Sequence, residues 1–217
     1  TVNSIYYSPL SKKFVGHKDG LSDIHKKNIV SIGDPKKRFS EDPVRCLRAI
    51  RFSNKLDFKI DGKIKDAIYE KGHLLSSISN ARLFDEFCKI FLNGMAEKNF
   101  KKLTSFGLNK YLVSTNPEKN EFTSRVIIEA LRNTDKRLIN SQSVTPGFLV
   151  AALLWPELLE KSLTKGEINL RKFFRSMDQV LKRQQTITAI PRKFHSYIKD
   201  IWVLQLKLHS RIGKQPY

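Results

Sequence analysis

Three arginines at three-residue spacing, Arg45, Arg48 and Arg51, follow an aspartate, Asp42, within the run Gly33-Asp34-Pro35-Lys36-Lys37-Arg38-Phe39-Ser40-Glu41-Asp42-Pro43-Val44-Arg45-Cys46-Leu47-Arg48-Ala49-Ile50-Arg51-Phe52. At roughly 100° per residue, Pro43, Cys46, Leu47 and Ile50 fall in an arc of about 100°, while Glu41, Arg45, Arg48 and Phe52 lie together elsewhere. One face is core and another is charged. Asp42 is spaced to hold the Arg45 guanidinium by an i,i+3 pair, which leaves forked donors for a planar acceptor edge. A nucleobase or a phosphate presents such acceptors. A solvated helix laced with salt bridges has the same spacing, so geometry alone leaves both readings open.

The helix that must carry these groups is expected to start at Ser40. With Ser40 as N-cap, Glu41 and Asp42 fall in the first turn, where the macrodipole favours anions, and Pro43 is tolerated because its missing donor is an orphan there. Periodicity at three and four residues predicts helices near 40–54, 61–71, 80–93, 96–106, 121–133, 146–160, 168–185 and 191–209. Gly94 and Gly107 sit at helix ends, Pro146 and Pro191 at starts, and Asn116 to Asn120 reads as a polar loop. Before residue 35 the pattern is β-rich, with strands expected at Ser4 to Tyr7, Lys13 to Val15 and Asn28 to Ile32. Such short strands are marginal alone, so this edge is expected to pair with further chain.

The 217 residues allow one or two domains. They carry 40 Lys and Arg against 21 Asp and Glu, a formal charge of +19, and the basic residues are spread along the chain. That excess favours a polyanionic partner: RNA, DNA or an acidic membrane surface, with merely solvated basic faces as the alternative. Between Lys161 and Tyr217 there are 13 basic residues against 3 acidic, interleaved with Phe173, Phe174, Phe194, Tyr197 and Trp202. This reads as an electrostatic track for single-stranded RNA, with Lys182, Arg183, Arg192, Lys193, Lys207 and Arg211 as the candidate phosphate contacts. Aromatics at helical spacing also read as core. The apolar run from Phe148 to Trp155 is far shorter than a membrane span and no signal-peptide pattern opens the chain, so no membrane partner and a cytoplasmic location are expected. Cys46 and Cys88 are too few for a disulfide framework and read as small buried hydrophobes. The histidines, His17, His25, His73, His195 and His209, show no metal-ligand spacing.

The run from Gly33 to Phe52 resembles, whole and in register, the GDPxxRFxEDPVRxLRAxRF signature of class II nucleotidyltransferases, which include tRNA CCA-adding enzymes and bacterial poly(A) polymerases. Thr1 to Tyr7 resembles the end of that family's RRDFTxNAxxY motif, Gly20 to Ile24 its GGxxDL turn, and Asn80 to Glu86 its xPARLFEE neck helix. Pro146 to Pro156 resembles the PxxLxAALLWPPL segment of bacterial poly(A) polymerases. Ala189 to Phe194, with Ile198 to Lys207, resembles their AIPRRFxxxxREIWQLQLRL stretch.

The resemblance implies a mostly α fold: the C-terminal remnant of a nucleotidyltransferase β-sheet head over 1–39, then an all-helical neck over 40–110 and a helical, RNA-binding body over 111–217. It implies a polynucleotide adenylyltransferase that adds AMP from ATP to RNA 3′ ends without a template. Nucleotide-binding positions are expected at Asn3, Asp34, Arg38, Glu41, Asp42, Arg45, Arg48 and Arg51, with Asp42 and Arg45 reading the base edge. In the family two upstream carboxylates hold two divalent metals, Mg²⁺ by expectation, and no residue here matches them. A further family carboxylate falls at Gly16, and nearby Asp19 reads as a turn residue. No catalytic or metal-binding residue is therefore expected in this chain, which reads as a fragment inactive alone. RNA and ATP are the implied partners, and DNA is not. A CCA-adding enzyme and a non-catalytic RNA-binding remnant are the alternatives.

Overall fold

Ten α-helices and three two-stranded sheets make up the regular structure of the computed structural model, which describes residues 5–16 and 20–212, with side chains described to residue 208. The fold is mostly α, as expected. It divides into two compact units, Thr1–Ile78 with Lys98–Leu108, and Ser79–Glu97 with Asn109–Tyr217.

In the first unit, β1 (Ile5–Ser8) pairs antiparallel with β2 (Lys13–Gly16), and Tyr7 lies opposite Phe14 with ring centroids 5.4 Å apart. Helix α1 (Gly20–His25) leads to β3 (Asn28–Ile29), shorter than the expected Asn28 to Ile32. Asp34 then starts a helix that the sequence reading missed. Its carboxylate accepts from the Lys36 and Lys37 backbone N–H groups, and Pro35 occupies the first helical position, where its φ is preset and no donor is lost. Helix α2 therefore runs Pro35–Glu41.

Ser40 is not the N-cap it was expected to be. It lies inside α2, and its hydroxyl donates to the Lys36 carbonyl. Glu41 ends α2 rather than opening the next helix. The break has a local cause: a residue before proline is pushed out of the α region, and Asp42, before Pro43, sits at φ −147°, ψ 92°. Helix α3 (Val44–Leu56) follows at once. Cys46, Leu47, Ala49, Ile50, Ser53 and Asn54 are buried along it, the face predicted from periodicity. Each fully buried aliphatic of this kind contributes about 1.5–3 kcal/mol.

Strand β4 (Lys59–Ile60) pairs parallel with β3, and α4 (Gly62–Lys71) packs on α2. Helices α5 (Asn80–Phe91) and α6 (Ala96–Ser105) come next, the unit boundary falling within α6. In the second unit, α7 (Glu121–Ile139) is capped by Asn120, and α8 (Pro146–Ser162) packs against three other helices. One is α7; the others are α9 (Leu170–Gln185) and α10 (His195–Ile212). Leu149 to Leu158 are largely buried, which is why α8 reads as apolar all round; Phe148 departs from that pattern at 46% exposed. The Trp202 indole N–H donates to the Ala151 carbonyl at 2.9 Å, locking α10 to α8. Gly147 permits this packing, since a Cβ there would stand 3.0 Å from a Tyr197 ring carbon. Between α8 and α9, β5 (Leu163–Thr164) and β6 (Glu167–Ile168) form a hairpin, so α9 starts at Leu170 instead of the expected 168.

Candidate nucleic-acid interface

Asp42 organises the junction of α2 and α3. Its Oδ1 accepts from the Val44 N–H at 3.3 Å, holding the start of α3, and its Oδ2 lies 3.7 Å from the Arg45 Nε. The expected i,i+3 pair is thus formed. It engages the Nε side of the guanidinium and leaves the two terminal amino groups to other acceptors. On the helix, Arg45, Arg48 and Phe52 fall within about 60° of one another, with Arg51 about 60° beyond Arg48. The Phe52 ring gathers two of the cations, with the Arg51 guanidinium carbon 4.5 Å and that of Arg48 5.9 Å from its centroid. The Arg51 Nε is buried without a hydrogen-bond partner among the described residues.

On α2, Asp34 spends both oxygens on the helix start, and Arg38 donates to Glu41 at 3.1 Å. Both Arg38 and Glu41 are nearly half exposed, so the pair adds little stability and can reopen for a ligand. The structure thus places Asp42 just before α3 and Arg45, Arg48 and Arg51 along it, and ties Arg38 to Glu41 beside them in sequence. Asn3 and Asp19 lie outside the described residues. Gly16 ends β2.

In the second unit, Lys182, Arg192, Lys193 and Lys207 are exposed, whereas the side chain of Arg211 lies outside the described residues. Arg183 is exposed but committed, its Nη1 donating to buried Glu157 at 3.0 Å. Phe173 and Trp202 are core, Phe174 and Tyr197 stay open to solvent, and the Lys193 ammonium stands 5.2 Å from the Phe194 ring centroid.

A polar cavity of about 470 Å³ was not anticipated. Ser114, Thr115, Asn116 and Lys119 from one loop line it with Glu157, Glu160 and Lys161 of α8 and Arg183 of α9. The one sequence signal was Glu157, a carboxylate at a buried position of an otherwise apolar helix. The first unit has its own cavity of about 750 Å³, whose lining includes Asp57, Asp61, Lys65 and Lys102. The Lys102 ammonium donates to Ser53 Oγ at 2.8 Å, and burial holds its pKa below the ordinary lysine value. Among the described residues no group of three or more His, Cys, Asp or Glu side chains could hold a metal ion.

Comparison with known proteins bears on the family of the chain. Residues 57–121 match the family described as "Probable RNA and SrmB- binding site of polymerase A", and residues 165–217 match "Polymerase A arginine-rich C-terminus". Poly(A) polymerase I of Haemophilus influenzae is 36% identical over the whole of this chain and 50% of its own length. A CCA-adding enzyme of Geobacillus sp. is 37% identical, over 60% of this chain and 31% of its own length. The crystal structure of the Bacillus stearothermophilus CCA-adding enzyme in complex with CTP shares the fold, with TM-score 0.52 at 19% identity, covering 90% of this chain and 55% of that one. The chain spans about half the length of the poly(A) polymerase it matches. Two polymerase A families together cover more than half of the chain and a Poly(A) polymerase I aligns with all of it, so the chain belongs to the bacterial poly(A) polymerase family of nucleotidyltransferases.

Proposed function

We propose that the protein transfers AMP from ATP to RNA 3′ ends without a template, in the cytoplasm, with α3 reading the nucleotide and the basic faces of the second unit holding the RNA. The single observation that carries this reading is the Asp42–Arg45 pair at the start of α3. A guanidinium donates to ring nitrogen or oxygen acceptors, and a carboxylate accepts from an exocyclic amine, so the pair reproduces with side chains what a complementary base would supply. Arg48 and Arg51, gathered at Phe52, add positive charge where a triphosphate could lie. Mg²⁺ would supply Lewis-acid activation of the 3′-hydroxyl and of the leaving pyrophosphate. The part played by the residues of α2 and α3 is recognition and positioning.

Adenine and cytosine both offer the exocyclic amine, so a CCA-adding activity is the second reading, favoured by the CCA-adding match over 60% of the chain. The test incubates the purified intact protein and Mg²⁺ with labelled ATP or CTP, on oligo(A) and on a tRNA lacking its 3′ end, and sequences the products. Homopolymeric A tails on oligo(A) are expected. Addition confined to C, C and A on the tRNA would replace this reading with the second, and RNA binding with no incorporation would leave a non-catalytic RNA-binding protein.

A further inference from the structure

The cavity of the second unit has an unusual lining. Glu157 is buried, and both of its oxygens are taken: Ser114 Oγ donates to one at 3.0 Å and Arg183 Nη1 to the other at 3.0 Å. Glu160 is paired with Lys119 at the rim. Each carboxylate is neutralised by its own cation, and Lys161, exposed and without an ion-pair partner among the described residues, leaves one positive charge in excess. The loop wall is tied to α9. Gln184, itself buried, accepts from the Ser114 N–H at 2.8 Å and donates to the Leu112 carbonyl at 2.9 Å. Next to Ser114 on that wall stands Thr115, 5% exposed, whose hydroxyl has no hydrogen-bond partner among the described residues. A buried hydroxyl left unpaired costs stability, so its retention at a cavity wall calls for a partner that arrives from outside.

We infer that this cavity is a subsite for one nucleotide of single-stranded RNA, with Thr115 and Lys161 as its ligand-facing groups. The inference rests on the reading of the protein as RNA-binding and adds where on the second unit a strand is anchored. A volume of about 470 Å³ lies within the range of small-ligand sites and accommodates a nucleotide. Uncompensated positive charge meets the phosphate, and the hydroxyl and amide groups of Thr115 and Asn116 offer both donors and acceptors to sugar or base edges. A bare metal cation is disfavoured, because both carboxylates already have cationic partners. Thr115 acts through contact with RNA, and Gln184 and Glu157 position it.

The experiment measures binding of a fluorescein-labelled oligo(A) 15-mer to the intact protein by anisotropy, at several salt concentrations, together with thermal melting. Thr115→Val removes a hydroxyl that has no partner among the described residues. The melting midpoint is expected to hold or rise while Kd increases about tenfold, the loss of one hydrogen bond. Thr115→Ser keeps the hydroxyl and is expected to stay within about twofold of wild type. Lys161→Ala is expected to weaken binding and to reduce the salt slope by about one unit, more than Lys136→Ala on α7 outside the cavity. Wild-type affinity in Thr115→Val, or equal effects of Lys161→Ala and Lys136→Ala, would overturn the subsite. Should Thr115→Val fail to fold, the Thr115→Ser and lysine comparisons decide alone. Nucleotide incorporation separates the two claims: activity with unaltered binding in the variants removes only the subsite, whereas altered binding in a protein that incorporates nothing removes only the transferase reading.

Discussion

The carboxylate of Asp42 divides its oxygens between the backbone of α3 and the guanidinium of Arg45, so substitutions at the two positions have different signatures. Arg45→Ala removes donors and no cap. In the intact protein it is expected to lower the ratio of kcat/KM for ATP over GTP, which carries a carbonyl in place of the exocyclic amine, about tenfold to a hundredfold, the worth of one base-reading pair, with thermal stability nearly unchanged. Arg45→Lys is expected not to restore the ratio, because an ammonium lacks the planar fork. Asp42→Ala removes both, and is expected to cost about 1 kcal/mol of stability in urea titration besides its effect on selectivity. An unchanged ATP-to-GTP ratio in Arg45→Ala would strike the pair from the site. The opposite face of α3 gives a second residue-scale prediction. Burial pushes the Cys46 thiol up to about 12 and the half-buried Cys88 thiol up to about 11. Both stay protonated near pH 8, so neither is expected to react promptly with a disulfide reagent in the native protein, and both react once denaturant is added. Rapid native labelling at Cys46 would contradict the packing of α3.

Helix α6 shows how an element is held from outside itself. Asp135 of α7 accepts the Ala96 N–H at 2.6 Å and the Glu97 N–H at 3.0 Å, taking two orphan donors of the α6 start, while Arg132 of α7 grips the Glu97 carboxylate at 3.0 Å. Asp135→Ala is expected to destabilise the protein by about 1–2 kcal/mol in urea titration. Burial raises the Asp135 pKa, outweighing the two N–H donations that lower it. A raised folded value means that the contribution of Asp135 is full below the unfolded carboxyl pKa and declines as pH rises through the folded one. The stability of wild type relative to Asp135→Asn is therefore expected to fall as pH rises through and above the ordinary carboxyl range, and a flat difference would oppose this. The same scale shows what was legible in advance. The buried face of α3 and the Asp42–Arg45 pair could be read because periodicity and i,i+3 spacing are local properties of one helix. Helix α2 was missed although Asp34-Pro35 is a cap followed by a proline at the first helical position; Ser40 offered a competing cap, and the reading took the later one. The β5–β6 hairpin has two-residue strands with no periodicity, and its turn places Lys165 at φ 52° and Gly166 at φ 86°, a conformation that Lys-Gly announces less clearly than Asn-Gly. The Ser114–Glu157–Arg183 cluster draws on three stretches far apart in sequence, so no local pattern could assemble it.

At the scale of the whole molecule the question is how much of the +19 charge is available to a polyanion. Some cations are committed internally: Arg132 to Glu97 and Glu129, Arg183 to Glu157, Lys199 to Asp178. Of these, Arg183 neutralises a buried carboxylate, and withdrawing it would leave that charge uncompensated, so it is expected to stay in place when RNA binds. Lys182, Arg192 and Lys193 carry no such partner among the described residues and can meet phosphates directly. Counterion release makes the logarithm of the association constant fall linearly with the logarithm of salt concentration, by about 0.7 for each phosphate neutralised on a single strand. Four to eight contacts would give a slope of about −3 to −6 for oligo(A). Removing Lys182, Arg192 and Lys193 together is expected to shallow that slope by about two units and to weaken all sequences alike, since phosphate contacts carry no base information. Arg183→Ala, by contrast, is expected to register first as a loss of about 3 kcal/mol in stability, because it strands the buried Glu157 carboxylate. A salt-independent affinity, or a triple variant with the wild-type slope, would show that the excess charge is a solvated face with no part in holding RNA.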